Sequence, residues 1–184
     1  MRIVAGRHRG RRLLAPEGLA VRPTSDRTRE ALFNILASGR GVPALEGAQL
    51  LDAFAGTGAL GLEALSRGAA RVTFMESLPA ALATLRRNIG LLGEEECGRV
   101  LQADVLRPPP AKDGPVRIVL MDPPYGQGLA APAIAALAAA GWIGPETLIV
   151  VELMAGEAFA PPQGFAIRDE RKYGKARLVF LGRG

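Results

Sequence analysis

The 184-residue chain is 48% hydrophobic and carries 23 Lys and Arg against 18 Asp and Glu, a formal charge of +5. This gives one domain, or one domain with a small extension, and enough apolar residues for a sizeable core, which excludes global disorder. Cys97 is the single cysteine and His8 the single histidine, so an internal disulfide and a Cys/His zinc site are excluded, and a Ser-His-Asp triad would have to draw on an arginine-rich segment. No apolar run approaches the roughly 18–20 residues of a membrane span. Residues 1–12 are basic without an apolar signal core, so a cytoplasmic protein is expected.

The charge is unevenly placed. Residues 1–40 hold nine arginines against Glu17, Asp26 and Glu30, a surplus of six, whereas the remaining chain has 14 basic and 15 acidic residues. A basic surplus confined to the first fifth of a chain suits an anionic partner such as nucleic acid. A solvated charged face would read the same way from charge alone.

In chain order, Ile3-Val4 and Leu13-Leu14 flank Gly6, Gly10 and several arginines, which predicts a small β-hairpin or extended arm. Ser25 or Asp26 then caps a helix whose Thr28, Leu32, Ile35 and Leu36 share a face, with Gly39 and Gly41 ending it. From residue 48 the texture changes. Apolar runs at 50–55, 70–75, 116–121 and 147–151, with a further strand ending near Gln102-Ala103-Asp104, are bounded by Gly, Pro or acidic residues. Continuous apolar runs mark strands buried on both faces of a parallel sheet. Between them, Pro79 opens a helix carrying Leu82, Leu85, Ile89 and Leu92 at helical spacing, and residues 129–140 form an alanine-rich helix. Residues 107–115, with three consecutive prolines, read as a surface loop. At the end, runs at 165–171 and 176–181 flank Lys172-Tyr173-Gly174-Lys175 as an antiparallel hairpin. Strand–helix alternation of this kind predicts an α/β, Rossmann-like doubly wound sheet over 41–184, preceded by a basic arm and helix over 1–40.

Two motifs carry chemistry. Gly56, Gly58 and Gly61 satisfy G-x-G-x-x-G between the first core strand and a helix, and Glu76 ends the next strand 20 residues after Gly56. Glycines let backbone approach a ligand, and a carboxylate at that spacing accepts from both ribose hydroxyls, so a nucleoside-bearing cofactor is expected. A dinucleotide would lay its pyrophosphate on the loop. S-adenosylmethionine (SAM), with its ammonium and sulfonium, would favour an acidic residue beside it, and Asp52 is there. Asp104 could accept from an adenine amino group, or serve as an ordinary helix cap. The second motif is Asp122-Pro123-Pro124-Tyr125, ending the fourth strand. Two prolines stop a strand and remove two donors, leaving the Asp122 carboxylate and the Pro123 carbonyl as acceptors where doubly wound folds bind ligands. Two convergent acceptors can hold both hydrogens of an exocyclic amine, and Tyr125 offers a face for base stacking.

The two motifs together resemble class I SAM-dependent methyltransferases acting on exocyclic amines. Met1-Arg2-Ile3-Val4-Ala5-Gly6, Arg9-Gly10-Arg11, Arg22-Pro23-Thr24, Asp26-Arg27, Arg29-Glu30 and Gly61-Leu62-Glu63-Ala64-Leu65-Ser66-Arg67-Gly68 further resemble the RsmD family of bacterial 16S ribosomal RNA guanine-N2 methyltransferases. That resemblance spans nearly the whole chain. It implies a seven-stranded sheet whose last strand is antiparallel, SAM as cofactor with S-adenosylhomocysteine as product, and no metal. It implies that Asp52, Phe54, Gly56 and Gly58 line the methionine side of the cofactor, that Glu76 holds its ribose and Asp104 its adenine, and that Arg22, Thr24 and Arg27 close over it or shape the acceptor pocket. Asp122, Pro123 and Tyr125 would handle the target guanine. Arg7, Arg9, Arg11, Arg12, Arg22 and Arg27 would contact RNA. The expected partner is 16S rRNA in the 30S subunit or an assembly intermediate, met by a monomer. Competing readings are an adenine-N6 DNA methyltransferase, a protein glutamine methyltransferase, an NAD-dependent oxidoreductase and a catalytically inert RNA-binding module.

Overall fold

A computed structural model of the chain describes residues 1–15, 26–39 and 42–184. Seven strands form one sheet: β1 (Gln49–Ala53), β2 (Arg71–Glu76), β3 (Gly98–Gln102), β4 (Ile118–Met121), β5 (Leu148–Met154), β6 (Phe165–Tyr173) and β7 (Ala176–Arg183). Their order is β3-β2-β1-β4-β5-β7-β6. β1 to β5 are parallel, and β7 runs antiparallel to both β5 and β6. Among the described residues the helices are α1 (Asp26–Ser38), α2 (Ala59–Ser66), α3 (Pro79–Leu92) and α4 (Ala130–Ala139).

Alternate strand residues feed two cores. Leu50, Val72, Phe74, Leu120, Val150 and Phe180 pack under α1, α2 and α3. Leu51, Met75, Val119, Ile149, Val151 and Leu181 pack under α4 and Trp142. Burial of both faces explains why the parallel strands read as unbroken apolar runs. Pro79 opens α3, its missing N–H costing nothing in the first turn, and Gly93 closes it at φ 70°. The loop at 107–115 runs over the surface, with the Pro109 carbonyl accepting from the Trp142 indole at 2.8 Å.

The N-terminal segment forms a short hairpin. Arg2 pairs with Arg12, and Ile3 N–H donates to Arg11 O at 2.9 Å. Buried Glu63 of α2 fixes it by accepting from the backbone N–H groups of Val4 (2.7 Å) and Ala5 (3.0 Å) and from the Arg67 guanidinium (2.7 Å). Ile3 and Leu13 enter the same core as Leu32, Phe33 and Leu36 of α1. Asn88 of α3 pairs with both backbone groups of Leu14 and donates to Thr57 O at 3.0 Å, tying the arm to the glycine loop.

Several element ends differ from those read in the sequence. β1 stops at Ala53, because Phe54 and Ala55 belong to the turn above it. β5 continues three residues past Val151 and carries Glu152 inside the strand. β6 reaches Tyr173, so the terminal turn shrinks to Gly174-Lys175. Arg29, one of the nine arginines in the basic surplus, is fully buried in α1. Its guanidinium donates to Arg2 O (2.8 Å) and Asp26 (2.7 Å). Ser25 and Gly41 lie outside the described residues.

Candidate active site

Each of the five parallel strands brings one carboxylate to the carboxyl edge of the sheet. In spatial order these are Asp104 just after β3, Glu76 ending β2, Asp52 in β1, Asp122 just after β4, and Glu152 in β5. Ligands of doubly wound sheets bind along this edge, beside the point where the strand order reverses, here between β1 and β4.

Phe54 turns the chain out of β1 at φ 61°, a left-handed conformation that a non-glycine residue adopts at a cost of about 1–3 kcal/mol. Gly58 caps α2 at φ 85°, with its N–H donating to Ala55 O at 2.7 Å. A Cβ on Gly61 would lie 2.3 Å from the Phe74 ring, so that glycine serves helix–sheet packing. A Cβ on Gly56 would meet nothing closer than Phe54 O at 4.0 Å, so the loop presents bare backbone to open space. That is a cradle a side chain would fill.

Glu76 holds this loop in shape. One carboxylate oxygen accepts from Gly56 N–H (2.8 Å), the other from Ser77 N–H (2.7 Å) and Leu78 N–H (2.8 Å). Asp52 is buried and accepts from Gly61 N–H at 2.8 Å. Burial pushes its pKa well above the usual carboxylate range; the Gly61 hydrogen bond opposes that, and the charges of Asp122 and Glu76 add to it. A ligand bringing positive charge and hydrogen-bond donors relieves this crowding, whereas a pyrophosphate would meet it as a like charge. The residues therefore fit SAM and disfavour the dinucleotide reading. Asp104 accepts from Leu106 N–H at 2.9 Å in a local turn and pairs with Arg107 at 3.3 Å.

On the other side of the switch point, Pro123 is buried and Tyr125 half-buried. The Tyr125 hydroxyl donates to Glu152 Oε1 at 2.8 Å, and Glu152 is 3% exposed. Met121 pairs with Val151, so the next positions, Asp122 and Glu152, run side by side. Sequence reasoning missed Glu152 because an acidic residue after an apolar run reads as the strand's end. A partner such as Tyr125 is what makes a carboxylate tolerable there. Leu78, next to Glu76 in the chain, is 58% exposed and puts an apolar side chain at this edge.

The predicted RNA contacts separate. The tip of the N-terminal hairpin docks on the C-terminal ends of α2 and α3, which lead back to the amino ends of the strands. Arg7 N–H donates to Ser66 O (2.8 Å), and its guanidinium donates to Glu94 (2.6 and 2.8 Å). Arg11 donates to Leu91 O at 2.9 Å. Arg7 and Arg11 thus have partners within the chain, at the edge opposite the glycine loop. Arg7, Arg9, Arg11 and Arg12 are all exposed, as is Arg27 in the first turn of α1. Arg22 and Thr24 lie outside the described residues.

Sheet order, glycine loop and acidic strand ends define a class I methyltransferase. The chain matches the family described as Conserved hypothetical protein 95 over residues 1–182. It is 43% identical over 152 residues to ribosomal RNA small subunit methyltransferase D of Escherichia coli strain K12, covering 83% of this chain and 74% of that one. It belongs to the ribosomal RNA small subunit methyltransferase D family. The Haemophilus influenzae protein of that name is 35% identical over 178 residues, covering 95% and 89%. The solved structure of a candidate methyltransferase, yhhF, from Escherichia coli superposes with a TM-score of 0.81 at 39% identity, covering 100% of this chain and 97% of that one.

Proposed function

We propose that this methyltransferase uses SAM to methylate the exocyclic N2 of a guanine in 16S rRNA of the small ribosomal subunit. The names of its relatives support the ribosomal acceptor. The observation that carries the chemistry is the Asp122-Pro123-Pro124-Tyr125 turn, set at the end of β4 directly across the switch point from Asp52 and Glu76.

Asp52, Phe54, Gly56 and Gly58 would hold the methionine end of SAM, Glu76 its ribose, and Asp104 with Leu78 its adenine. When bound, SAM supplies a methyl group already activated by a sulfonium, so positioning provides most of the catalysis. The guanine is presented unpaired or flipped from its stack. Tyr125 stacks on the base. The Asp122 carboxylate and Pro123 carbonyl would accept from the two N2 hydrogens, aim the nitrogen's lone pair and stabilise the positive charge that develops on nitrogen as its bond to the methyl carbon replaces the methyl–sulfur bond, the surplus N2 proton then passing to the Asp122 carboxylate. Arg9, Arg12, Arg22 and Arg27 contact RNA phosphates, joined by the exposed Arg7 and Arg11 at the far edge of the arm.

Among the described residues no helix is long and apolar enough to cross a membrane. A cytoplasmic monomer meeting the 30S subunit or an assembly intermediate completes the reading. Asp122→Ala tests it: methyl transfer falls by at least about 10²–10³-fold while calorimetry finds SAM binding intact. Equal loss of both would remove Asp122 from the acceptor side.

A further inference from the structure

The part of the chain after residue 40 is not uniformly near neutral. Residues 165–184 carry Arg168, Arg171, Lys172, Lys175, Arg177 and Arg183 against Asp169 and Glu170, a surplus of four, while residues 41–164 have eight basic and 13 acidic residues. The terminal hairpin is therefore a second basic segment. Part of its charge is internally engaged: Arg177 bonds Glu157 O (2.6 Å) and lies 3.5 Å from Glu170, and Arg171 pairs with Asp169 (2.9 Å). Lys172 and Lys175 are exposed at its turn.

Topology decides where that turn sits. β7 is antiparallel to β5, and Ala176 at its start pairs with Met154 at the carboxyl end of β5. The turn is pinned there, with Ala155 N–H donating to Lys175 O at 2.9 Å. Gly174 takes φ 61°, giving the two-residue hairpin the positive first position of a type II′ turn. The hairpin thus brings Lys172 and Lys175 to the edge that carries Asp122, Tyr125 and Glu152, one strand beyond β5. Met154, 45% exposed, adds apolar surface on the same rim. The tip of the N-terminal hairpin, with Arg7 and Arg11, occupies the opposite edge.

We infer that the β6–β7 turn is a second nucleic-acid contact: Lys172 and Lys175 hold the phosphates of the RNA strand that delivers the target nucleotide, beside the acceptor pocket. The acidic row along the strand ends would repel an approaching backbone, and two exposed lysines at its border supply the attraction a polyanion needs there. The inference rests on the proposed RNA acceptor.

The test is binding of the full-length protein to small subunits lacking the modification, and to protein-free 16S RNA, as a function of salt. Methyl transfer is read separately. Lys172→Ala/Lys175→Ala weakens binding to both and makes the log–log salt slope shallower by about two. SAM affinity and melting temperature stay at parental values, and Lys172→Arg/Lys175→Arg keeps affinity and slope. Unchanged affinity and slope in the alanine variant would overturn the contact. So would a loss confined to assembled subunits, which would assign the turn to a protein surface. Failure of the parent protein to methylate either acceptor would count against the acceptor reading instead, with the binding result still deciding the role of the turn.

Discussion

The Tyr125 hydroxyl donates to the buried carboxylate of Glu152 at 2.8 Å, joining the turn after β4 to the neighbouring strand β5. A tyrosine fixed at its hydroxyl keeps its ring in one orientation, which is what a stacking platform for an extruded base requires. Tyr125→Phe keeps the ring and deprives Glu152 Oε1 of that donor. It lowers stability by about 1–3 kcal/mol and raises KM for RNA only modestly. Tyr125→Ala also removes the stacking surface, worth about 1–3 kcal/mol per base, and raises KM much further. Thermal melts with steady-state kinetics check both. A Glu152→Ala variant that melted earlier but kept the parental KM would reduce the pair to a brace.

Asp52 makes stability depend on pH in a definite direction. Burial raises its folded-state pKa above the unfolded value of about 3.9, so the folded chain holds this proton more tightly than the unfolded one. The resulting stabilisation is complete below the unfolded pKa and is lost as pH rises toward the folded pKa. Asp52→Asn removes that loss while leaving an acceptor for Gly61 N–H. Relative to the parent, the variant melts higher at neutral pH than at pH 4, and it binds SAM more weakly. Melts across that range, with calorimetry, test the pairing of the two effects.

Arg7 and Arg9 are neighbours on one hairpin with different employment. Arg7 is held by Glu94, whose side chain is 4% exposed, and that hydrogen bond raises the Arg7 pKa. Arg7→Ala leaves Glu94 with His8 as its remaining partner, so it costs up to about 1 kcal/mol and lowers the melting temperature by a few degrees. Arg9→Ala leaves melting unchanged and makes the salt slope of RNA binding shallower by about one. Reversed outcomes would exchange the two roles.

How much of this was legible in the sequence varies with the kind of interaction. The parallel strands, the glycine loop and the Asp122 turn announce themselves because burial on both faces and proline chemistry leave local patterns. Pairings between distant residues leave none. Glu63 looks like any helical glutamate, yet it anchors the hairpin through Val4 and Ala5. Arg7 reads only as a phosphate ligand, and nothing local shows that Glu94, 87 residues away, is its ion-pair partner. Glu152 ends an apolar run on paper and continues a strand in three dimensions, because Tyr125 supplies its donor. The basic terminal hairpin was hidden by averaging its charge with an acidic middle.

The acceptor is the centre of the account. Purified protein is given SAM labelled in its methyl group, with unmethylated small subunits, free 16S RNA and double-stranded DNA in parallel, and the labelled base is identified by mass spectrometry. The account predicts label on N2 of a single guanine of 16S rRNA, lost in Asp122→Ala. Label on adenine N6, or on DNA in preference to ribosomal RNA, would contradict it.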